Sequence, residues 1–389
     1  MPVPGFSAMG INIGIKDTRL DFGVVSAQAP CAAAGVFTRN NFPGAPVLVG
    51  REHIAGGRLQ AIVVNSKNAN VATGLDGVEH ARQTCRALGD ALGIAPHLVL
   101  PSSTGVIGVP LPIGKLLAAC GEAPRHLRAD RTGLETFARA IMTTDTRPKA
   151  ISLRCGGATL SGVAKGAGMI EPHMATMLAY LFTDAQVPAA VLQRQLRAAV
   201  DASFNRISID SDTSTSDTAV VLANGQAGPV DEAAFGAALR EACVYLAREI
   251  ARDGEGATKL IELHLRGAAS PEAARALAKS VINSPLVKTA IHGADPNWGR
   301  FVMALGKVFA HPLRLEELCI DFGEPGADGP PMRITAQVPA AALLERISAY
   351  LRRPELRIVI TVGHGPEEIT VWGCDLTEGY VRENALYTT

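Results

Sequence analysis

Short apolar runs of strand length alternate with amphipathic helical stretches along the whole chain, and that alternation predicts an α/β fold with α+β layers. Ala61 to Val64 and Ala219 to Ala223 are compact apolar runs of strand type. Gly77 to Leu92 and Ala190 to Ala202 place apolar residues at helical spacing, and Asp231 to Ala251 continues that spacing over a long stretch. With 389 residues, 47% of them hydrophobic, the chain has ample material for a large core. Its formal net charge of +0 leaves no footprint for nucleic acid or an anionic membrane. No apolar run approaches a membrane span. The seven cysteines, at 31, 85, 120, 155, 243, 319 and 374, form no Cys-x-x-Cys pair. That excludes the usual disulfide or zinc patterns and suits reduced thiols in the cytoplasm. The start, Met1 to Phe6, has no basic region followed by an apolar one, so no signal peptide is expected.

In chain order, Val47 to Val49 and Ala61 to Val64 read as strands of a strand-rich first segment. Asn65 to Asn70 holds three asparagines, which indicate tight turns using side-chain hydrogen bonds or left-handed backbone. Lys67 within it reads as a solvated turn lysine. Leu98 to Leu100 is a strand that runs into Ser102 to Gly108, read as a loop of hydroxyls and glycines able to turn N–H groups toward one point. Leu134 to Met142 is a helix, and Pro148 blocks its continuation. Ala158 to Ala164 is a strand that delivers Lys165 into a glycine-rich loop. Asn205 to Thr218, dense in Ser, Thr and Asp, is too polar for a core strand. Its Asp210-Ser-Asp212 lacks the later Gly and Glu of a calcium loop. Leu260 to Leu265, Ile358 to Val362 and Glu368 to Trp372 are strands, and Val338 to Leu351 is a helix. Val281 to Gly299 reads as turn sequences around Trp298, Glu324 to Pro331 as a Gly/Pro-rich loop, and His292 carries no assigned role.

The chemistry centres on Lys165 to Ala185. Gly166, Gly168 and Pro172 make its first part loop. Met177 to Phe182 is a short apolar run that reads as a buried strand. Between them stands Ala175-Thr176, a hydroxyl at the entry to a buried element. If the loop bends sharply, the Thr176 hydroxyl reaches the Ala175 carbonyl. An N-to-O acyl shift followed by hydrolysis then leaves a threonine with a free amine, whose pKa lies below that of lysine. Such a residue is nucleophile and base in one. On these residues alone, an Ala-Thr pair ahead of an apolar run is more often a plain strand entry.

The stretch Lys165-Gly-Ala-Gly-Met-Ile-Glu-Pro-His-Met-Ala-Thr-Met-Leu178 resembles the cleavage-site signature of the ornithine acetyltransferase family, also called glutamate N-acetyltransferases. Ser102 to Gly108, Ile141 to Thr146, Asp212 to Thr215, Asn283 to Thr289, Asn297 to Arg300 and the tail Asn384 to Thr389 resemble further family motifs, in family order over nearly the whole chain. The resemblance implies a helix–sheet–sheet–helix sandwich over about 1–280 and a smaller C-terminal α/β portion over about 281–389. It implies self-cleavage into an α chain, 1–175, and a β chain, 176–389, assembled as an α2β2 heterotetramer. Thr176 would be the nucleophile, Thr104 and Gly105 the oxyanion hole, and Thr143, Lys165, Glu255, Asn384 and Thr389 further substrate contacts. The family pattern has Gly at positions 67 and 211 and Asn at 216, where this chain has Lys67, Ser211 and Ser216. The Ser216 form resembles a branch found in secondary metabolism.

The implied reaction moves an acetyl group from N-acetylornithine to glutamate through acetyl-Thr176, releasing ornithine, with no metal or bound cofactor. Three alternatives compete. One is a bifunctional enzyme that also takes acetyl-CoA, another an amidase or aminopeptidase of the same self-cleaving type, and the third a binding protein without catalysis.

Overall fold

The computed structural model describes residues 2–171, 177–323, 331–337 and 339–386. They form two compact units: one of the described residues within 2–205 and 212–250, the other of those within 206–211 and 251–386.

The first half of the chain runs β1 (Phe6–Ile11), β2 (Phe22–Phe37), α1 (Ala45–Ile54), β3 (Arg58–Asn68), α2 (Gly74–Leu92), β4 (Val99–Val106), α3 (Ile113–His126), α4 (Arg131–Ala140), β5 (Lys149–Cys155), β6 (Ala158–Lys165), β7 (Leu178–Gln186) and α5 (Ala189–Asp201). The second half runs β8 (Ile207–Ser208), β9 (Thr218–Pro229), α6 (Glu232–Arg252), β10 (Leu260–Ala268), α7 (Pro271–Ile282), α8 (Pro285–His292), α9 (Gly299–Gly306), β11 (Cys319–Phe322), β12 (Met332–Ile334), α10 (Ala341–Leu351), β13 (Glu355–Thr361), β14 (Glu367–Cys374) and α11 (Glu378–Leu386).

The first unit is built on one sheet in the order β4-β3-β2-β9-β7-β6-β5, with β1 added alongside β2. The 16-residue β2 joins its two layers. Phe22 to Ser26 pair with β3, the register shifts before Cys31, and Ala32 to Phe37 pair with β9. The layers then face each other: the rings of Phe6 on β1 and Phe182 on β7 lie 5.4 Å apart although their strands do not pair. Val25, Ile62, Val64 and Leu100 from one layer share a core with Val163, Tyr180 and Val220 from the other. On the outer face of the first layer, Val24, Ala61 and Val63 pack with Cys85 and Leu88 of α2 and Leu116 and Cys120 of α3. Outside the second layer, Leu246 of α6 meets Gly162 of β6, and Gln193 of α5 hydrogen-bonds both backbone groups of Gly35 on β2. The result is a helix–sheet–sheet–helix α/β sandwich.

In the second unit the sheet order is β12-β11-β13-β10-β14-β8. Parallel β10 and β13 stand at its centre, each with one face buried. Ile261, Leu263, Leu277, Ile291, Ile358 and Val371 anchor the core.

Three local expectations are corrected. Val47 to Val49 lie in helix α1, started by Pro46 in its first turn, not in a strand. Ser102 to Val106 continue strand β4. Position 285 opens helix α8, because Ser284 accepts from the Val287 N–H as an N-cap and Pro285 fits the first turn. All seven cysteines are free thiols, and six are buried. No helix among the described residues is long and apolar enough to cross a membrane.

Candidate active site

Strands β3 and β4 run parallel, with Ser66 opposite Thr104 and Lys67 opposite Gly105. Thr104 is buried. Gly105 has φ +131°, and a Cβ there would sit 2.2 Å from the Lys67 carbonyl carbon, so only glycine fits. Lys67 itself has φ 81°, in the left-handed region, and is half-buried at the end of β3 rather than solvated on a turn. The asparagines brace this edge as their spacing suggested. Asn65 accepts from the Ser103 hydroxyl at 2.6 Å, Asn68 donates to the carbonyls of Val109 and Pro110, and Asn70 adopts φ 50°.

Beside this edge lies a buried polar cluster. The Lys165 ammonium donates to the Thr143 hydroxyl at 3.0 Å. Asp145 is buried and organises both residues: it accepts from the Thr143 N–H at 3.0 Å, the Gly166 N–H at 2.6 Å and the Lys149 ammonium at 2.6 Å. Burial alone would raise the Asp145 carboxyl, but the charges of Lys149 and Lys165 and its hydrogen bonds overcome burial and hold it far below the usual range. Lys16 reaches in from the loop after β1 and donates to the carbonyl of Met142 at 2.6 Å. Burial, with help from Lys165 and Arg19, brings its pKa down to about 8 against the pull of Asp21 and Asp145.

Ala175 and Thr176 lie outside the described residues. The chain on either side of them is anchored by Asp212 to Thr218. Ile170 bridges Thr213, the Glu171 N–H donates to the Asp212 carbonyl at 2.8 Å, and the Thr218 N–H donates to the Met177 carbonyl at 3.0 Å. Asp217, 1% exposed, takes the Met177 amide, and its Oδ2 has no hydrogen-bond partner among the described residues. Burial pushes this carboxyl well above the usual range, against hydrogen bonds from Ser214 and Thr38 and the charge of Lys165.

Within the second unit the structure brings Glu255 and Asn384 together: the Asn384 amide donates to Glu255 Oε2 at 2.7 Å. The glycines around Glu255 have packing reasons. A Cβ on Gly254 would meet Cys374 Sγ at 2.7 Å, and one on Gly256 would meet the Tyr380 nitrogen at 2.3 Å, where α11 begins. The tail thus enters as a helix, and Asn384 sits on it. Thr389 lies outside the described residues. His292 bonds Asp375 at 2.9 Å, and Asp375 also accepts from Thr258 and the Lys259 N–H, so this histidine is part of a structural network.

Sequence reasoning missed Lys16, Asp145 and Asp217. Asp145 stands inside the Ile141 to Thr146 motif and was legible as a candidate there, whereas Asp217 falls just past the Asp212 to Thr215 motif, in the polar stretch Asn205 to Thr218. Lys16 follows the alternating Ile11, Ile13 and Ile15, and no motif marks it.

The ArgJ family matches residues 7–389. The chain is 46% identical to Arginine biosynthesis bifunctional protein ArgJ 2 of Clostridium acetobutylicum, over 99% of this chain and 97% of that one. It is 46% identical to Glutamate N-acetyltransferase Oat2 of Streptomyces clavuligerus, over 99% of this chain and 98% of the relative. A solved ornithine acetyltransferase from Mycobacterium tuberculosis, complexed with ornithine, covers 44% of this chain and 94% of its own at 40% identity, with a TM-score of 0.44. On the strength of a family match spanning almost its full length and of relatives aligned nearly end to end, this chain belongs to the ArgJ family.

Proposed function

We propose that this protein is a glutamate N-acetyltransferase that cuts itself between Ala175 and Thr176 and then moves an acetyl group from N-acetylornithine to glutamate. In the cut, Thr176 Oγ1 attacks the Ala175 carbonyl carbon and the peptide C–N bond breaks to leave an ester. Water hydrolyses that ester to a carboxylate on Ala175 and a free amine and hydroxyl on Thr176. In transfer, the amine takes the proton of its own hydroxyl as Oγ1 attacks the acetyl carbonyl. The Thr104 hydroxyl and the Gly105 N–H hold the oxyanion, a donor of this kind being worth about 3–4 kcal/mol of barrier. The proton passes to the departing amine of ornithine. The glutamate amine then attacks acetyl-Thr176 and regenerates the enzyme. Lys165 pairs with the substrate α-carboxylate beside Thr143, Glu255 complements the ammonium of ornithine, and Asn384 and Thr389 contact the amino acid.

The observation that carries this reading is the Lys165–Thr143 hydrogen bond, because it joins a cation and a hydroxyl from separate motifs at one half-buried point. The sheet supports lasting association of the fragments. The 1–175 fragment supplies β2 and β6, which pair with β9 and β7 of the 176–389 fragment. Two copies of each fragment form the α2β2 assembly. The free, mostly buried thiols suit a cytoplasmic enzyme.

The test has two parts. Purified protein should run as two fragments on a denaturing gel, the second beginning Thr-Met-Leu-Ala, while Thr176→Ala stays whole. Acetyl should pass from N-acetylornithine to glutamate faster than to water. Hydrolysis alone would establish an amidase instead, and acetylation of glutamate by acetyl-CoA would add the bifunctional activity.

A further inference from the structure

We propose that Lys16 is a positioning residue of the acetyl-transfer site, tying the end of β3, which pairs with the oxyanion strand β4, to the segment that carries Thr143. The proposal rests on the acetyltransferase reading above. The Lys16 ammonium spends its three hydrogens on three oxygens: the carbonyl of Leu20 at 2.9 Å, the hydroxyl of Ser66 at 2.5 Å and the carbonyl of Met142 at 2.6 Å. Ser66 stands opposite Thr104 in the β3–β4 register, and Met142 directly precedes Thr143. Ser66 extends the link by donating its own hydrogen to the Ala140 carbonyl at 2.6 Å, at the end of α4. One ammonium therefore fixes the spacing between the oxyanion donor and the substrate-side hydroxyl.

The loop from Ile11 to Asp21 is built to hold that ammonium. The Asp21 carboxylate accepts the N–H groups of Ile13, Ile15 and Lys16 at 2.7–2.8 Å, and the Asp21 carbonyl accepts the Ser66 N–H at 2.9 Å. The root and the tip of Lys16 are thus both pinned to the end of β3. The charged groups that face it are Asp21 and Asp145, which favour the ammonium, and Lys165 and Arg19, which oppose it; together with burial they leave it titrating near 8. A neutral amine keeps two N–H groups and turns a lone pair toward the third oxygen. The tie then loses one of its three bonds.

The experiment measures kcat/KM for N-acetylornithine against pH, because in a two-step transfer this ratio reports the first half-reaction alone. Wild type should show an alkaline limb near pH 8. Lys16→Met, which keeps the stem and loses the donors, should lower kcat/KM by about 10- to 100-fold and flatten that limb. Lys16→Arg keeps the charge and should move the limb upward by more than one pH unit (about two or more, given the guanidinium pKa). A purely structural lysine would give neither the loss of the limb nor its displacement. If Lys16→Met does not fold, the wild-type and Lys16→Arg profiles still decide the matter. Identical limbs in wild type and Lys16→Arg, or wild-type kcat/KM in Lys16→Met, would overturn the proposal alone. A wild-type enzyme that cuts itself yet moves no acetyl group would overturn the functional reading and this inference with it.

Discussion

The Lys165 ammonium and the Thr143 hydroxyl meet at 3.0 Å, and the backbones on both sides of that bond are held by the single carboxylate of Asp145. Asp145 also neutralises Lys149, whose side chain is 1% exposed. Asp145→Asn removes the carboxylate charge that faces the buried Lys149 ammonium, which should cost about 3–5 kcal/mol of stability. Because the folded carboxyl lies below its unfolded value, its stabilisation is present at neutral pH and disappears as pH falls through the ordinary carboxylate range and below. Urea unfolding from pH 7 down to pH 2 should show wild type losing stability on acidification more steeply than Asp145→Asn. Parallel curves would remove Asp145 from that role.

Thr104→Ala separates the proposed oxyanion donor from the proposed nucleophile. Thr176 remains chemically intact, so transfer should slow by about 10²–10³ if the hydroxyl acts as oxyanion donors do elsewhere. Self-cleavage passes through a similar oxyanion and should slow too. A folded variant with unchanged transfer would exclude Thr104 from the mechanism.

Deleting Ala385 to Thr389 tests the tail. Asn384 remains but loses Ala385 and Leu386, the last two residues of α11. Cleavage at Ala175–Thr176 should proceed, since it needs the nucleophile loop and the oxyanion donors. Transfer from N-acetylornithine should fall sharply through weaker binding, seen as a raised KM. Full transfer kinetics in the truncated enzyme would show that the tail is only a chain end.

Much of the fold was legible because its helices are strongly amphipathic: Gly77 to Leu92, Ala190 to Ala202 and Asp231 to Ala251 fall almost residue for residue on α2, α5 and α6. Val47 to Val49 misled because three apolar residues are too few to set a period, and Pro46 ahead of them is the better signal. Ser102 to Val106 looked like loop because hydroxyls seldom fill a core strand. Here Ser103 finds Asn65 across the β3–β4 pair and can be buried. The candidate site was legible as motifs but not as geometry. Glu255 and Asn384 are 129 positions apart, and no local pattern announces that they bond. The two departures from the family's glycines acquire a physical meaning: Lys67 at φ 81° and Ser211 at φ 66° both occupy backbone where glycine is the unstrained choice.

The strand order also bears on how an enzyme cut at the proposed site would be put together. Strands β9 and β7 of the 176–389 fragment stand between β4-β3-β2 and β6-β5 of the 1–175 fragment. Once the 175–176 peptide is open, neither fragment holds an unbroken first sheet. Before the cut, folding is a unimolecular search with a short tether between β6 and β7. Afterwards the same sheet forms only when two separate chains collide, so reassembly becomes second order and dilution works against it. On the proposed self-cleavage, the uncut precursor is therefore the form that folds alone, and the cut would make the finished sheet dependent on having been built once.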